Sequence, residues 1–184
     1  MWMAVSQPAC NLFDMSVQNN RLFIVMGVAG CGKSTIGNAL ADQLGGTYLE
    51  GDSFHPDSNI AKMSEGTPLT DEDRWPWLKI IGQEMAKADG LIFAGCSALK
   101  LAYRDLIEQE AGERVTFIHL SGSQELIADR MAKRGGHFMP LSLLKSQFAT
   151  LEPLIKREQS IVVDISGSTN EIVAEIMSKI KAQA

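Results

Sequence analysis

A chain of 184 residues, 45% hydrophobic and 21% charged, has the makeup of one soluble globular domain with a sizeable core. A net charge of −5 speaks against a general nucleic-acid binder, and no apolar run is long enough to span a membrane. Three cysteines (Cys10, Cys31 and Cys96) with no C-x-x-C pair speak against a disulfide framework or zinc site and for a reducing, cytoplasmic compartment.

Residues 1–20 lack the basic stretch of a signal peptide and read as a weakly specified N-terminal extension. Residues 21–184 read as a single domain. Leu22-Phe23-Ile24-Val25-Met26 is a continuous apolar run, as expected of a buried parallel strand. The stretch from Gly27 to Ser34 follows, and it fits G-x-x-x-x-G-K-[ST]. Ile36, Leu40 and Leu44 then recur at helical spacing up to a Gly45-Gly46 stop. Thr47 to Glu50 reads as a short second strand, running into Gly51-Asp52-Ser53-Phe54-His55-Pro56. Asn59 to Met63 reads as a short helix ending before Gly66, and Pro68 to Arg74 as a polar turn. The next helix carries Trp77, Leu78, Ile81, Met85 and Ala88 on one face. Leu91 to Gly95 is a third strand, with Cys96-Ser97-Ala98-Leu99-Lys100 after it and a helix bearing Tyr103 and Arg104. Val115 to Leu120 is a fourth strand. Gln124 to Arg134 reads as a helix rich in bases at its end (Arg130, Lys133, Arg134), and Gly135-Gly136-His137-Phe138 as a mobile lid spanning about residues 130–142. A short helix ends within Ser146 to Pro153, Ile161 to Ile165 is the last strand, and Ile172, Ile176 and Ile180 mark a closing helix. Alternating strands and helices predict an α/β fold, a three-layer α/β/α sandwich around a five-stranded parallel sheet.

The loop carries its own chemistry. Glycines let the backbone wrap a polyphosphate in conformations that a Cβ obstructs, and inward N–H groups then meet the anion. Lys33 adds a cation for the β- and γ-phosphates, the Ser34 hydroxyl is a Mg²⁺ ligand, and the helix N-terminus faces the phosphates. ATP and Mg²⁺ are therefore the expected cosubstrate and metal. Asp52 lies just past the second strand, where open α/β sheets bind ligands. It suits a substrate hydroxyl or a metal-bound water; alternatively it caps the following helix. Asp164-Ile165-Ser166-Gly167 matches the D-x-x-G of GTP switches, but no N-K-x-D accompanies it. Cys31 lies among loop amides beside Lys33, which points to a reactive thiol protected by ATP; the other reading is a serine replacement facing away from the nucleotide.

Together these segments resemble the gluconokinases, in the shikimate-kinase-like branch of P-loop kinases, over about residues 21 to 182. The matching residues are Gly27 to Ser34, Gly51-Asp52, His55-Pro56, Asn59, Lys62-Met63, Pro68-Leu69, Asp71, Asp73-Arg74 and Pro76-Trp77-Leu78. They continue with Cys96 to Lys100, Tyr103-Arg104-Asp105, Gly136-His137-Phe138, Ser146-Gln147-Phe148 and Leu151-Glu152. Two positions depart from the pattern: Glu50 stands where Asp is frequent, and Cys31 where Ser is usual.

The resemblance implies the P-loop NTPase fold with a mobile lid, and phosphorylation of D-gluconate at its 6-hydroxyl by ATP. It assigns ATP to Gly27, Val28, Ala29, Gly30, Cys31, Gly32, Lys33, Ser34 and Thr35, with Arg130 and Arg134 swinging in from the lid. It assigns catalysis to Lys33, Asp52, Arg74 and Lys100, and Mg²⁺ to Ser34 and Asp52. Substrate falls to Asp52, His55, Arg74, Lys100, Arg104 and His137, and residues 164–168 pass under the adenine. It also suggests a homodimer acting on a small molecule, without nucleic-acid or membrane partners. Three other readings stay open: a kinase of the same fold acting on shikimate or another sugar acid, a nucleoside monophosphate kinase, and a non-catalytic nucleotide-binding module.

Overall fold

The computed structural model describes residues 20–133, 141–156 and 158–183. The proposed N-terminal extension, apart from Asn20, and lid residues 134–140 lie outside these. Five strands form one parallel sheet: β1 (Leu22–Met26), β2 (Thr47–Glu50), β3 (Ile92–Cys96), β4 (Val115–Ser121) and β5 (Gln159–Asp164). Their spatial order is β2-β3-β1-β4-β5, so β1 is central and pairs with β3 on one side and β4 on the other. All five residues of β1 are buried, which is why it reads as an unbroken apolar run.

Successive strand residues point to opposite faces, and each face has its own core. On one, Phe23 and Val25 pack with residues of α1 (Lys33–Leu44) and α7 (Thr169–Gln183), among them Ile36, Leu40, Ile172 and Ile176. On the other, Leu22, Ile24 and Met26 pack with Trp77, Leu78 and Ile81 of α3 (Asp71–Lys87) and Ile107 of α4 (Leu101–Ala111). This is the three-layer sandwich that the alternating elements predict. The remaining helices are α2 (Asp57–Ser64), α5 (Gln124–Lys133) and α6 (Leu141–Thr150), with one 3₁₀ turn over Gly51–Phe54. Among the described residues no helix is long and apolar enough to cross a membrane.

Several boundaries differ from expectation: β5 runs Gln159–Asp164 rather than Ile161–Ile165, β4 extends to Ser121, and α2 spans Asp57–Ser64 rather than Asn59–Met63. β3 starts one residue later than predicted and takes in Cys96. The stretch from Pro68 to Arg74 is not all turn, because α3 already begins at Asp71. The Thr70 hydroxyl accepts from the Asp73 N–H at 3.3 Å while the Asp73 carboxylate accepts the Thr70 N–H at 2.9 Å. This capping box starts the helix and puts Asp71, Glu72 and Asp73 in its first turn, where the helix dipole favours negative charge.

The Tyr48 ring is wedged between α1 and β3. A Cβ on Gly37 would lie 2.2 Å from Tyr48 Cε2, and one on Gly95 would lie 2.2 Å from the Tyr48 hydroxyl oxygen. That hydroxyl donates to Glu50 Oε2 at 3.3 Å.

Candidate active site

The loop between β1 and α1 takes conformations that explain its glycines. Gly27, Gly30 and Gly32 have φ of 140°, 82° and 105°, a region L side chains rarely adopt. Gly32 is also the N-cap of α1 and has no side chain to occupy the first-turn amides, so these keep their donors for an anion. Lys33 Nζ donates to the Gly27 and Val28 carbonyls, both at 3.2 Å. The Ala29 N–H donates to Gln147 Oε1 of α6 at 2.6 Å.

Beside the loop, at the C-terminal ends of β2 and β3, opens a cleft of about 820 Å³, part of it open to solvent. Lys33, Asp52, His55, Arg74, Ser97 and Lys100 all line it. The fold thus gathers the phosphate-loop lysine, the acid after β2 and two cations 26 residues apart in sequence around one space. A second hollow is lined by Gly30, Cys31 and Gly32 of the loop, Thr35 of α1, Arg130 of α5, and Gly167 and Thr169. Arg130 hydrogen-bonds the Ile165 carbonyl there.

The cations of the cleft are held in place. Lys100 Nζ is 2.8 Å from both carboxylate oxygens of Asp71, which also accepts the Tyr103 hydroxyl. These two donors hold the Asp71 carboxyl below the usual carboxylate range. Arg74 lies 5.7 Å from the centroid of the Tyr103 ring, and Trp75 meets the same ring edge-on at 5.2 Å. His55 stacks on Trp77 with centroids 3.9 Å apart and planes 17° from parallel. Burial, reinforced by the charge of Arg74, pushes its imidazole down to about 4. It is therefore neutral at any pH near 7.

Ser34 and Asp52 are both exposed and both present hard oxygen donors. Mg²⁺ characteristically takes one or two protein oxygens and completes its shell with phosphate and water. The donor chemistry at this site fits that pattern. Among the described residues no group of three or more His, Cys, Asp or Glu forms a protein-only cage.

Several expectations need correction or fall outside the described residues. Arg104 is not in the cleft. Its side chain is 1% exposed and pairs with Glu158 at 2.5 Å. It also donates to the carbonyls of Ala98, Leu99 and Pro153. All its donors are turned inward, so it ties the turn that carries Lys100 to the segment after α6. The Cys31 thiol is 1% exposed, and a Cβ on Gly27 would stand 2.9 Å from its Sγ. This agrees with the serine-replacement reading and not with an accessible nucleophile. Cys96 is wholly buried, and desolvation pushes its thiol up to about 12. We therefore expect iodoacetamide to label Cys31 slowly in the folded protein, at a rate that Mg-ATP does not change. Peptide mapping after timed exposure checks this; rapid, ATP-protected labelling of Cys31 would contradict the burial. Arg134, His137 and the Gly135-Gly136 pair lie outside the described residues.

The structure also brings in residues that the motifs left without a role. Asp71, Tyr103, Ser146, Gln147 and Thr150 line the cleft. Leu143, Ser146, Gln147 and Thr150 are spaced as one stripe of a helix, so their common face was readable from periodicity once α6 was placed. Asn59 is 2% exposed and touches His55, a contact that no local pattern announces.

With this geometry in view, comparison with known proteins gives the family. A family model described as shikimate kinase matches residues 29–181. The chain is 42% identical to the thermosensitive gluconokinase of Escherichia coli (strain K12) over 164 residues, 87% of each chain. It is 44% identical to a gluconokinase of Gluconobacter oxydans (strain 621H) over 161 residues, 84% of this chain and 88% of that one. The crystal structure of a gluconokinase from Sinorhizobium meliloti 1021 superposes with a TM-score of 0.83 at 44% identity, covering 90% of this chain and 94% of that one. Superposition and sequence agree, and the chain belongs to the shikimate-kinase family of P-loop kinases, in its gluconokinase branch.

Proposed function

We propose that this chain transfers the γ-phosphoryl group of ATP to the 6-hydroxyl of D-gluconate, giving 6-phospho-D-gluconate and ADP. One observation carries the reading: a cleft that abuts the phosphate loop is lined by one acid after β2 and by two anchored cations, Arg74 and Lys100. Phosphoryl transfer asks mainly for positioning and charge neutralisation, and those are the groups it needs. Lys33 leaves the loop carbonyls to hold the β- and γ-phosphates, together with the amides from Gly30 to Thr35. The hollow beside Arg130, Gly167 and Thr169 suits the rest of the nucleotide. Mg²⁺, when bound, neutralises phosphate charge; Ser34 and Asp52 are the residues that would hold it. Asp52 orients the 6-hydroxyl and accepts its proton. Arg74 and Lys100 receive the sugar-acid carboxylate and the migrating phosphoryl, Arg74 with the planar fork that suits a carboxylate. His55 hydrogen-bonds a substrate hydroxyl. A homodimer in the cytoplasm is the assembly and compartment that the resemblance favours, and light scattering tests the former.

A coupled ATP-consumption assay across gluconate, glucose and shikimate tests the reading. Gluconate is expected to be turned over with Mg²⁺ present. Glucose, which lacks the carboxylate for the two cations, is expected to be poor. Equal turnover of glucose and gluconate, or preference for shikimate, would overturn it.

A further inference from the structure

We propose that Asn59 is a positioning residue that fixes His55 in its neutral Nε2–H tautomer, so that the imidazole meets the cleft as a hydrogen-bond donor. The proposal rests on the reading of the cleft as the site of the sugar acid.

The argument starts from the Asn59 amide. Asn59 is 2% exposed, and its Nδ2 donates to the backbone carbonyl of Asp73 at 2.8 Å. A backbone carbonyl only accepts, so the amide nitrogen and not the oxygen must face it. The same nitrogen lies 3.3 Å from His55 Nδ1. Both amide hydrogens are then assigned, one to Asp73 and one to His55, and an amide NH₂ accepts nothing. His55 Nδ1 must therefore carry its lone pair toward Asn59. A neutral ring with a bare Nδ1 carries its proton on Nε2, and the imidazolium, with a proton on both nitrogens, would press N–H against N–H.

The ring cannot escape this arrangement by turning. Trp77 stacks along one face of His55, and the Trp77 indole is itself pinned by Nε1 donating to the Gly51 carbonyl at 2.7 Å. That bond joins α3 to the 3₁₀ turn that carries Asp52. Among the described residues Nε2 has no protein partner, and His55 lines the cleft. The charged groups around that space are Asp52 from the 3₁₀ turn, Asp71 and Arg74 from α3, Lys33 from α1 and Lys100 before α4. A fixed N–H donor selects a ligand oxygen with a free lone pair, which every hydroxyl of a sugar acid offers.

Two measurements test this. The first uses the ligand-free wild-type protein, labelled with ¹⁵N at histidine; the chain has three histidines, and His55→Gln assigns the signal. Imidazole ¹⁵N shifts are expected to show a protonated Nε2 and a bare Nδ1, unchanged between about pH 6 and 8. A proton on Nδ1, or titration of His55 within that range, overturns the tautomer whatever the enzyme acts on. The second uses Asn59→Asp, which keeps the size but replaces the donor by an acceptor. His55 is then expected to place a proton on Nδ1 and to titrate at higher pH. Measured above that pH, where the ring is neutral and Nε2 is bare, the gluconate KM should rise roughly tenfold, the scale of one hydrogen bond, while the ATP KM stays level. A switched tautomer with an unchanged gluconate KM overturns the positioning role. Failure of the wild-type protein to phosphorylate gluconate would instead strike the functional reading, and the ¹⁵N spectrum would still decide the tautomer.

Discussion

Asp52→Asn is expected to lower gluconate turnover by about 10²–10⁴-fold, the range typical of a lost general base. The substitution keeps the side chain's size and removes its charge and its proton acceptor. Asp52 is exposed at the cleft and is the second residue of the 3₁₀ turn after β2, so its carboxylate is not needed to hold the core together. The Trp77 bond that anchors this turn goes to the Gly51 carbonyl, which the substitution leaves in place. ATP binding, measured by calorimetry, is expected to change little, because the loop amides and Lys33 are untouched. A variant with near wild-type turnover, or one that fails only because it has lost ATP, would remove Asp52 from the proposed role.

Arg104→Met is expected to cost about 3–5 kcal/mol of folding stability, the range for removing one partner of a buried ion pair. The Arg104 and Glu158 side chains are 1% and 5% exposed. Without the guanidinium, the Glu158 carboxylate stays buried with the Ile155 N–H, at 2.7 Å, as its remaining described donor. The carbonyls of Ala98 and Pro153 lose the Arg104 donor as well, while that of Leu99 keeps the Glu152 N–H at 2.8 Å. Adding Glu158→Leu to Arg104→Met is expected to recover part of the loss, because the unpaired charge is then gone. Urea midpoints of the wild type, the single variants and the double variant close the cycle. A loss below about 1 kcal/mol for Arg104→Met would show the pair to be far more hydrated than its burial indicates.

The contrast between these two residues shows what a sequence can disclose. Asp52 was readable because its place follows from local order: an apolar run, then an acid at the end where parallel sheets bind ligands. The phosphate loop was readable for the same reason, since strand, glycines and helix stand in one short stretch. Arg104 had the right charge near the right turn and suggested a ligand for the substrate carboxylate. Its orientation was decided by Glu158, far along the chain, and no spacing rule joins the two. Cys31 was misleading in a related way. The loop around it favours a reactive thiol, but the Sγ packs against Gly27, and packing leaves no mark in a motif. The start of α3 was half legible: acids crowd Asp71 to Asp73, yet the reciprocal bonds with Thr70 that turn them into a first helical turn depend on geometry. The Asn59–His55 contact lies one helical turn apart and spans a proline, so neither residue alone suggested a relay.

The wedge formed by Tyr48 has a consequence for how this protein can change over time. Its ring, carried by β2, fixes the spacing between the helix that starts at Lys33 and β3, the strand that leads to Ser97 and Lys100, and so the gap between a phosphate anchor and a cation of the cleft. Gly37 and Gly95 are the two walls of the slot. An alanine at either wall collides with the ring, so that step is closed while Tyr48 remains. Shrinking the ring first removes a half-buried packing partner of α1 and β3, at a smaller cost than emptying a fully buried site. Both orders of substitution therefore pass through a less well packed intermediate, and the three positions are expected to change together rather than one at a time.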